Sequence, residues 1–166
     1  MRRDSIGSLI LLVALVLLIL RPWERDPDAA PAAATAPVTR VVDGDTFEAR
    51  IGGRIEDVRL IGVDTPETVK PGTPVQCYGP PASHFTHQLL EGRTVRLVFG
   101  VERRDVYGRL LAYVHLGGRF VNAILVRRGL ARTLTIPPND RYAPRLRGLE
   151  SSAARAGRGL WGACGP

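Results

Sequence analysis

Within VRLIGVDTPE, Val58 to Glu67, an arginine and two acids, Arg59, Asp64 and Glu67, interrupt what begins as an apolar strand. A charge buried there without a partner costs several kcal/mol, so the three call for compensation. Upstream, VVDGDTF, Val41 to Phe47, supplies Asp45. Strand alternation puts Asp45 in phase with Phe47, Ala49 and Ile51, leaning toward the mouth of a barrel, and Arg59 in phase with Ile61 and Val63. Pro66 fixes the turn Asp64-Thr65-Pro66 and holds Thr65 extended, so the bend aims several oxygens at one place. Asp45 and Asp64 offer hard oxygen ligands and the Thr65 carbonyl a third, a set that suits Ca²⁺ completed by water. The DGD triplet lacks the spacing and closing Glu of an EF-hand, so this site has to be assembled from separate strands. Further on, DVYGRLLAY places Arg109 at the start of another strand, directly after Gly108.

Taken singly, each motif is also ordinary structure: DGD a hairpin turn, DTPE a proline turn, Arg109 a surface arginine. The histidines read as structural. His84 and His87, three apart on a helix, share a side without a third ligand nearby and read as a solvated face, and His115 sits at a strand end.

These residues need a scaffold. VTRVV, TFEARI, RIEDVRLIGV, TVRLVF and RLLAYVHL read as five strands, punctuated by DGD, IGG and GG. Three helices are predicted: Pro80 to Glu91, with Phe85 and Leu89 one turn apart; Val121 to Arg128, stopped by Gly129; and Tyr142 to Ala156. Strands come first and helices late, without regular βαβ alternation. The expected class is α+β, with a small antiparallel barrel.

At 166 residues the chain suits one domain and a tail. Its formal charge of +7 lies entirely from Val38 onward, where 19 basic residues face 12 acidic ones. That balance favours nucleic acid or an anionic lipid surface, although an Arg bias this strong also arises from codon usage. MRRDSIGSLILLVALVLLILRPW carries an uncharged run from Ser5 to Leu20 behind Arg2 and Arg3. Residues 1–23 are expected to be a hydrophobic helix acting as an uncleaved signal anchor, or a signal peptide, with the domain on the outer side. DPDAAPAAATAP has no apolar periodicity and reads as an extended linker over 24–37, followed by the domain over 38–166. In an oxidising compartment Cys77 and Cys164 could pair; two unrelated buried thiols are the alternative.

VVDGDTF, VRLIGVDTPE, YGPPASHFT, DVYGRLLAY, FVNAILVRRGLAR and GLW, in this order and spacing, resemble the staphylococcal nuclease (thermonuclease-like) family over Val38 to about Trp161. The resemblance implies a five-stranded OB-type β-barrel with three helices and a Ca²⁺-dependent endonuclease that hydrolyses DNA and RNA to 3′-phosphates. Position by position, Asp45, Asp64 and the Thr65 carbonyl match the family's calcium ligands, Arg59, Glu67 and Arg109 its catalytic trio, and Tyr107 a tyrosine near the nucleotide phosphate. Thr135 and Pro137 stand where the family often has two pocket tyrosines, so weaker base stacking is expected. A Cys77–Cys164 disulfide is expected to tie the C-terminal segment down, and the protein to act as a monomer, extracytoplasmic and membrane-anchored, or secreted if cleaved. The alternative is a non-catalytic OB-type module that binds nucleic acid or protein, which would have no need of carboxylates that repel phosphate.

Overall fold

The computed structural model describes residues 32–69 and 71–164. The expected helix over 1–23 and most of the expected linker lie outside them. In chain order the elements are β1 (Ala33–Asp43), β2 (Thr46–Ile51), β3 (Arg54–Leu60), β4 (Val63–Asp64), α1 (Gly79–Leu90), β5 (Thr94–Arg104), β6 (Leu110–Leu116), β7 (Arg119–Phe120), α2 (Val121–Arg127), β8 (Arg132–Thr133), α3 (Ala143–Arg155) and the single turn α4 (Leu160–Ala163).

Antiparallel pairing runs β3-β2-β1-β5-β6, and β6 then pairs parallel with β3, Val58 opposite Leu110, closing a five-stranded barrel. Alternation drives closure: Val95, Leu97 and Phe99 of β5, and Val58 and Leu60 of β3, point inward between exposed or half-exposed neighbours. With Phe47, Ala49, Ala112 and Val114 they make one core. The five strands and three main helices are those read from the sequence, and β4, β7, β8 and α4 are additions.

Three boundaries differ, the simplest being β5, read as Thr94–Phe99, which runs on to Arg104. β1 begins at Ala33, so Ala33–Pro37, read as linker, is strand, pairing with Thr94–Val98 of β5. Side-chain periodicity is weak there because backbone pairing holds the segment, and alanine is small enough for Ala36 to be buried in the core. β1 thus serves β5 with its first half and β2 with its second, with register shifts between Val38 and Arg40 and between Val41 and Asp43 that turn it around the barrel. The run Arg54 to Val63, read as one strand, breaks at Gly62, whose φ is +79°, and Val63–Asp64 leaves to pair with β8.

The helices fasten the segments that carry the site. Prolines occupy the first turn of α1, where no backbone donor is wanted. Its deepest face is Ala82, Thr86 and Leu90, with Phe85 and Leu89 only partly buried, and Thr86 Oγ1 donates to the Gly44 carbonyl at 2.7 Å. α2 buries Val121 and Leu125, leaves Ile124 only partly buried, and adds the buried Asn122. Asn122 Oδ1 accepts from the Val114 N–H at 2.9 Å, and Nδ2 donates to the Ile61 carbonyl at 2.7 Å, spanning β6 and the segment after β3. Gly129 ends α2 at φ +71°, where a Cβ would lie 2.0 Å from the Arg158 carbonyl oxygen, so only glycine lets the turn before α4 pack there.

Candidate active site

The turn Gly44–Asp45 packs on Thr65 so tightly that a Cβ at Gly44 would come within 2.7 Å of Thr65 Oγ1. This closeness lets Asp45, only 3 % exposed, accept from Thr65 twice through Oδ2: from the N–H at 2.7 Å and from Oγ1 at 2.9 Å. Asp45 Oδ1 accepts from Thr46 Oγ1 at 3.1 Å and forms an ion pair with Arg59. The same guanidinium donates to Asp64 Oδ1 at 2.9 Å. Arg59 therefore bridges two carboxylates, one buried and one half exposed. Burial pushes its basicity below the ordinary value, and Asp64 opposes that shift. On β3 it stands between the inward Val58 and Leu60, on the opposite side of the strand. The continuous phase expected from Arg59 to Val63 is interrupted by the Gly62 turn.

Asp43, which the sequence reading passed over, is 6 % exposed. Its Oδ1 accepts from the Gly44 N–H at 2.7 Å and from Thr68 Oγ1 at 2.7 Å. Burial raises its carboxyl above the ordinary value, and the neighbouring Glu67 adds to the rise while the bonds from Thr68 and Gly44 oppose it. Glu67 Oε1 accepts from the N–H groups of Thr68 and Val69, both at 2.9 Å. Gln76 holds its backbone: the Glu67 N–H donates to Gln76 Oε1 at 3.0 Å, and the Gln76 N–H to the Glu67 carbonyl at 2.9 Å.

Across the cleft, Arg109 is held by Asp105. Arg109 Nε donates to Asp105 Oδ2 at 2.7 Å and the Arg109 N–H to Oδ1 at 3.0 Å, within a turn closed by the Gly108 N–H donating to the Asp105 carbonyl at 2.9 Å. Burial alone would raise the Asp105 carboxyl; hydrogen bonds and charge from Arg109, with the Tyr107 N–H, bring it below the ordinary value. The Arg109 guanidinium lies 5.3 Å from the centre of the Tyr107 ring, which is 79 % exposed.

One cleft of about 450 Å³ is lined by Asp43, Asp45, Arg59, Asp64, Thr65, Glu67, Tyr107 and Arg109. All seven chemistry-bearing residues singled out in the sequence thus meet, drawn from four separate segments. A second cleft of about 280 Å³ shares Arg59, Tyr107 and Arg109 and has an apolar wall that includes Leu60, Leu111, Leu134 and Ile136. Where tyrosines were the pattern to compare, at Thr135 and Pro137, the neighbouring Leu134 and Ile136 supply the wall. His87 instead pairs with Glu91, Nδ1 to Oε2 at 2.6 Å, and His84 is exposed on the same helix. Cys77 and Cys164 form a disulfide, with Cα atoms 5.9 Å apart.

Among the described residues no group of three or more His, Cys, Asp or Glu side chains is placed to hold a metal. The donor set suits a hard cation nonetheless, since the Asp45 and Asp64 carboxylates already reach one shared positive group, the Arg59 guanidinium. Such a pair leaves room in the coordination shell for a main-chain oxygen and water. Three side chains that flank or hold these residues, Asp43, Asp105 and Gln76, are not among those the sequence singles out. Asp43 is legible in DGD as the first acid, and Asp105 as an acid four residues before Arg109. Gln76 has no local signal at all.

The sequence model of the family described as "Staphylococcal nuclease homologue" matches residues 57–163. The chain is 43 % identical to a protein named "Thermonuclease" from Staphylococcus intermedius, over 97 % of this chain and 99 % of that one. It is 38 % identical to a "Thermonuclease" from Staphylococcus hyicus over the same shares. It is also 40 % identical to "Endonuclease YncB" of Bacillus subtilis (strain 168), over 76 % of this chain and 61 % of that one.

Proposed function

The chain belongs to the staphylococcal nuclease family, and on that premise we propose that it is a Ca²⁺-dependent endonuclease hydrolysing DNA and RNA to leave 3′-phosphates. The observation that carries the reading is the Arg59 bridge between Asp45 and Asp64 at a cleft whose other walls are Glu67 and Arg109. A module that merely held nucleic acid would gain nothing from four carboxylates facing a polyanion.

In this reading Asp45, Asp64 and the Thr65 carbonyl hold the ion, which when bound polarises a phosphate oxygen as a Lewis acid. Thr65 keeps the buried Asp45 carboxylate in one orientation through two hydrogen bonds. Arg59 and Arg109 present planar, forked donors that match phosphate oxygens. To do so Arg59 exchanges one of its carboxylate partners for the phosphate, whereas Arg109 is already aimed by Asp105. Glu67 orients and deprotonates the attacking water, a role worth about 10²- to 10⁴-fold. Tyr107, exposed beside Arg109, lies along the substrate. Contacts to phosphate and sugar without base edges would leave cleavage indifferent to sequence.

We further place the protein outside the cytoplasm as a monomer, tethered by residues 1–23 or released if they are cut. The uncharged run Ser5 to Leu20 and a disulfide among the described residues support an oxidising compartment. The test is digestion of plasmid DNA and of RNA by the full chain across a Ca²⁺ titration, with Glu67→Gln as control. Cleavage by the wild type alone, yielding 3′-phosphate ends, is expected; cleavage undiminished in excess chelator would overturn the metal assignment.

A further inference from the structure

At the far end of β6 from Arg109 lies a second cationic cleft, of about 220 Å³, between α2 and α3. Arg119, Arg127 and Arg145 line it, with Phe120, Ala123 and Leu149 among its apolar walls. The Arg145 guanidinium sits 5.4 Å from the centre of the Phe120 ring, and His115 stacks on the same ring at 5.1 Å and 18°. Arg96 joins from β5, in register with His115, which is in turn in register with Phe120.

All four arginines are exposed, and among the described residues none of them has a carboxylate within ion-pair distance, unlike Arg40, Arg59, Arg104 and Arg109. Of the acids nearest in sequence, Glu150 is committed to Thr133, accepting from its N–H at 2.8 Å and from its hydroxyl, Glu91 pairs with His87, and the exposed Asp140 is within ion-pair distance of none of the four arginines. Burial, Arg96 and Arg145 together lower the basicity of His115, as expected where positive charge gathers without compensation. Like charges brought together in this way call for an anion, and forked guanidinium donors select phosphate.

We propose that this cleft is a second binding site for the polynucleotide backbone, an exosite that grips the substrate strand beyond the cleavage point. The inference rests on the nuclease reading given above. β6 fixes the scale: His115 lies six residues beyond Arg109, about 20 Å at 3.3 Å per residue, or roughly six nucleotides at the 3.4 Å per strand of a stacked helix. That span lies within the roughly 4–16 nucleotides covered by one OB fold. A polynucleotide is favoured over a lipid surface because the site is a narrow cleft whose aromatic is buried. A membrane-inserting face would need exposed apolar side chains beside its cations, and none of the strongly exposed ones lines this cleft: Val106, Tyr107 and Ile136 line the catalytic clefts, and Val75 and Val101 lie in neither.

The experiment compares the full chain with its Arg119→Glu/Arg145→Glu variant, and with the milder Arg119→Gln/Arg145→Gln, on a dinucleotide and on a single strand of about 24 nucleotides. On the long strand KM should rise at least tenfold in the Glu variant, with kcat unchanged. The slope of log KM against log salt should become shallower by about one to two. Dinucleotide kinetics should not move. An equal loss on both lengths would mean that the arginines act through the fold, and no loss on the long strand would mean that they do not touch it; either result overturns the exosite. A selective loss of binding to phosphatidylglycerol vesicles, with the long strand unaffected, would overturn it in favour of a lipid surface. Failure of the wild type to cleave even the dinucleotide would instead defeat the nuclease reading. Fluorescence anisotropy of the long strand in chelator then still decides the cleft: tenfold weaker binding by the Glu variant supports it, and equal binding refutes it.

Discussion

Glu67 and Gln76 hold each other from both sides, the backbone N–H of each donating to an oxygen of the other at 3.0 and 2.9 Å. The next residue, Cys77, is bonded to Cys164 at the end of α4, and α4 is docked through the Leu160 N–H on the Gly129 carbonyl at 2.8 Å. The proposed base is thereby tied to the helical layer and does not depend on its own exposed loop for position.

Glu67→Gln should lower kcat by about 10²- to 10⁴-fold in a protein whose melting curve is unchanged. Gln76→Ala removes only the positioning, so kcat should fall by up to about 100-fold, with KM and the pH profile retained. Steady-state kinetics on a short oligonucleotide separate the two. The double change His84→Ala/His87→Ala should be nearly silent, and a large effect of the histidines with none from Glu67 would relocate the site.

Reduction, or Cys77→Ser with Cys164→Ser, should lower Tm without dissolving the barrel. The bridge closes a loop of 87 residues, for which the chain-entropy model gives about 4 to 5 kcal/mol of constraint on the unfolded chain. Calorimetry of oxidised and reduced protein measures the loss. Turnover should fall together with Tm, because the Glu67–Gln76 pair loses its external anchor. A reduced protein that melts lower yet cleaves at full rate would separate the disulfide from the site.

Removing the ion should be reversible and complete. With two protein carboxylates, the affinity is expected in the weak class of about 10⁻⁴ to 10⁻³ M, read by calorimetric titration. Asp64→Ala and Asp45→Asn should each weaken it.

The Asp105–Arg109 pair has a pH signature. The carboxyl of Asp105 is lowered in the fold, so its contribution to stability is fully present above the ordinary carboxyl value of 3.8 and fades as pH falls through the lowered one. Urea midpoints of wild type and Asp105→Asn, measured in chelator, should therefore differ by a constant amount at neutral pH and converge in strong acid. Turnover of Asp105→Asn should fall at neutral pH as Arg109 loses its aim. A difference that widens on acidification contradicts the assignment.

Sequence alone determined the five barrel strands, the three main helices and the residue types of the site, because period-two and helical patterns, proline turns and glycine stops are local. It also carried the family resemblance, since those motifs keep their order and spacing. What it left to the tertiary structure is what depends on which segments meet. The pairing of Ala33–Pro37 with β5 is invisible in an Ala-Pro stretch whose side chains carry no period. The departure of Val63–Asp64 from β3 was hidden because Val63 continues the apolar run across the Gly62 break. Arg59 became a bridge only when β2 paired with β3, Thr46 opposite Arg59 and the Leu60 N–H on the Asp45 carbonyl, which set Asp45 beside the strand that bears it. Gln76 and the arginine cleft between α2 and α3 arise from contacts over nine residues in the first case and across several separate elements in the second. Composition shows such residues as ordinary surface, because only closure of the barrel and docking of the helices bring them together.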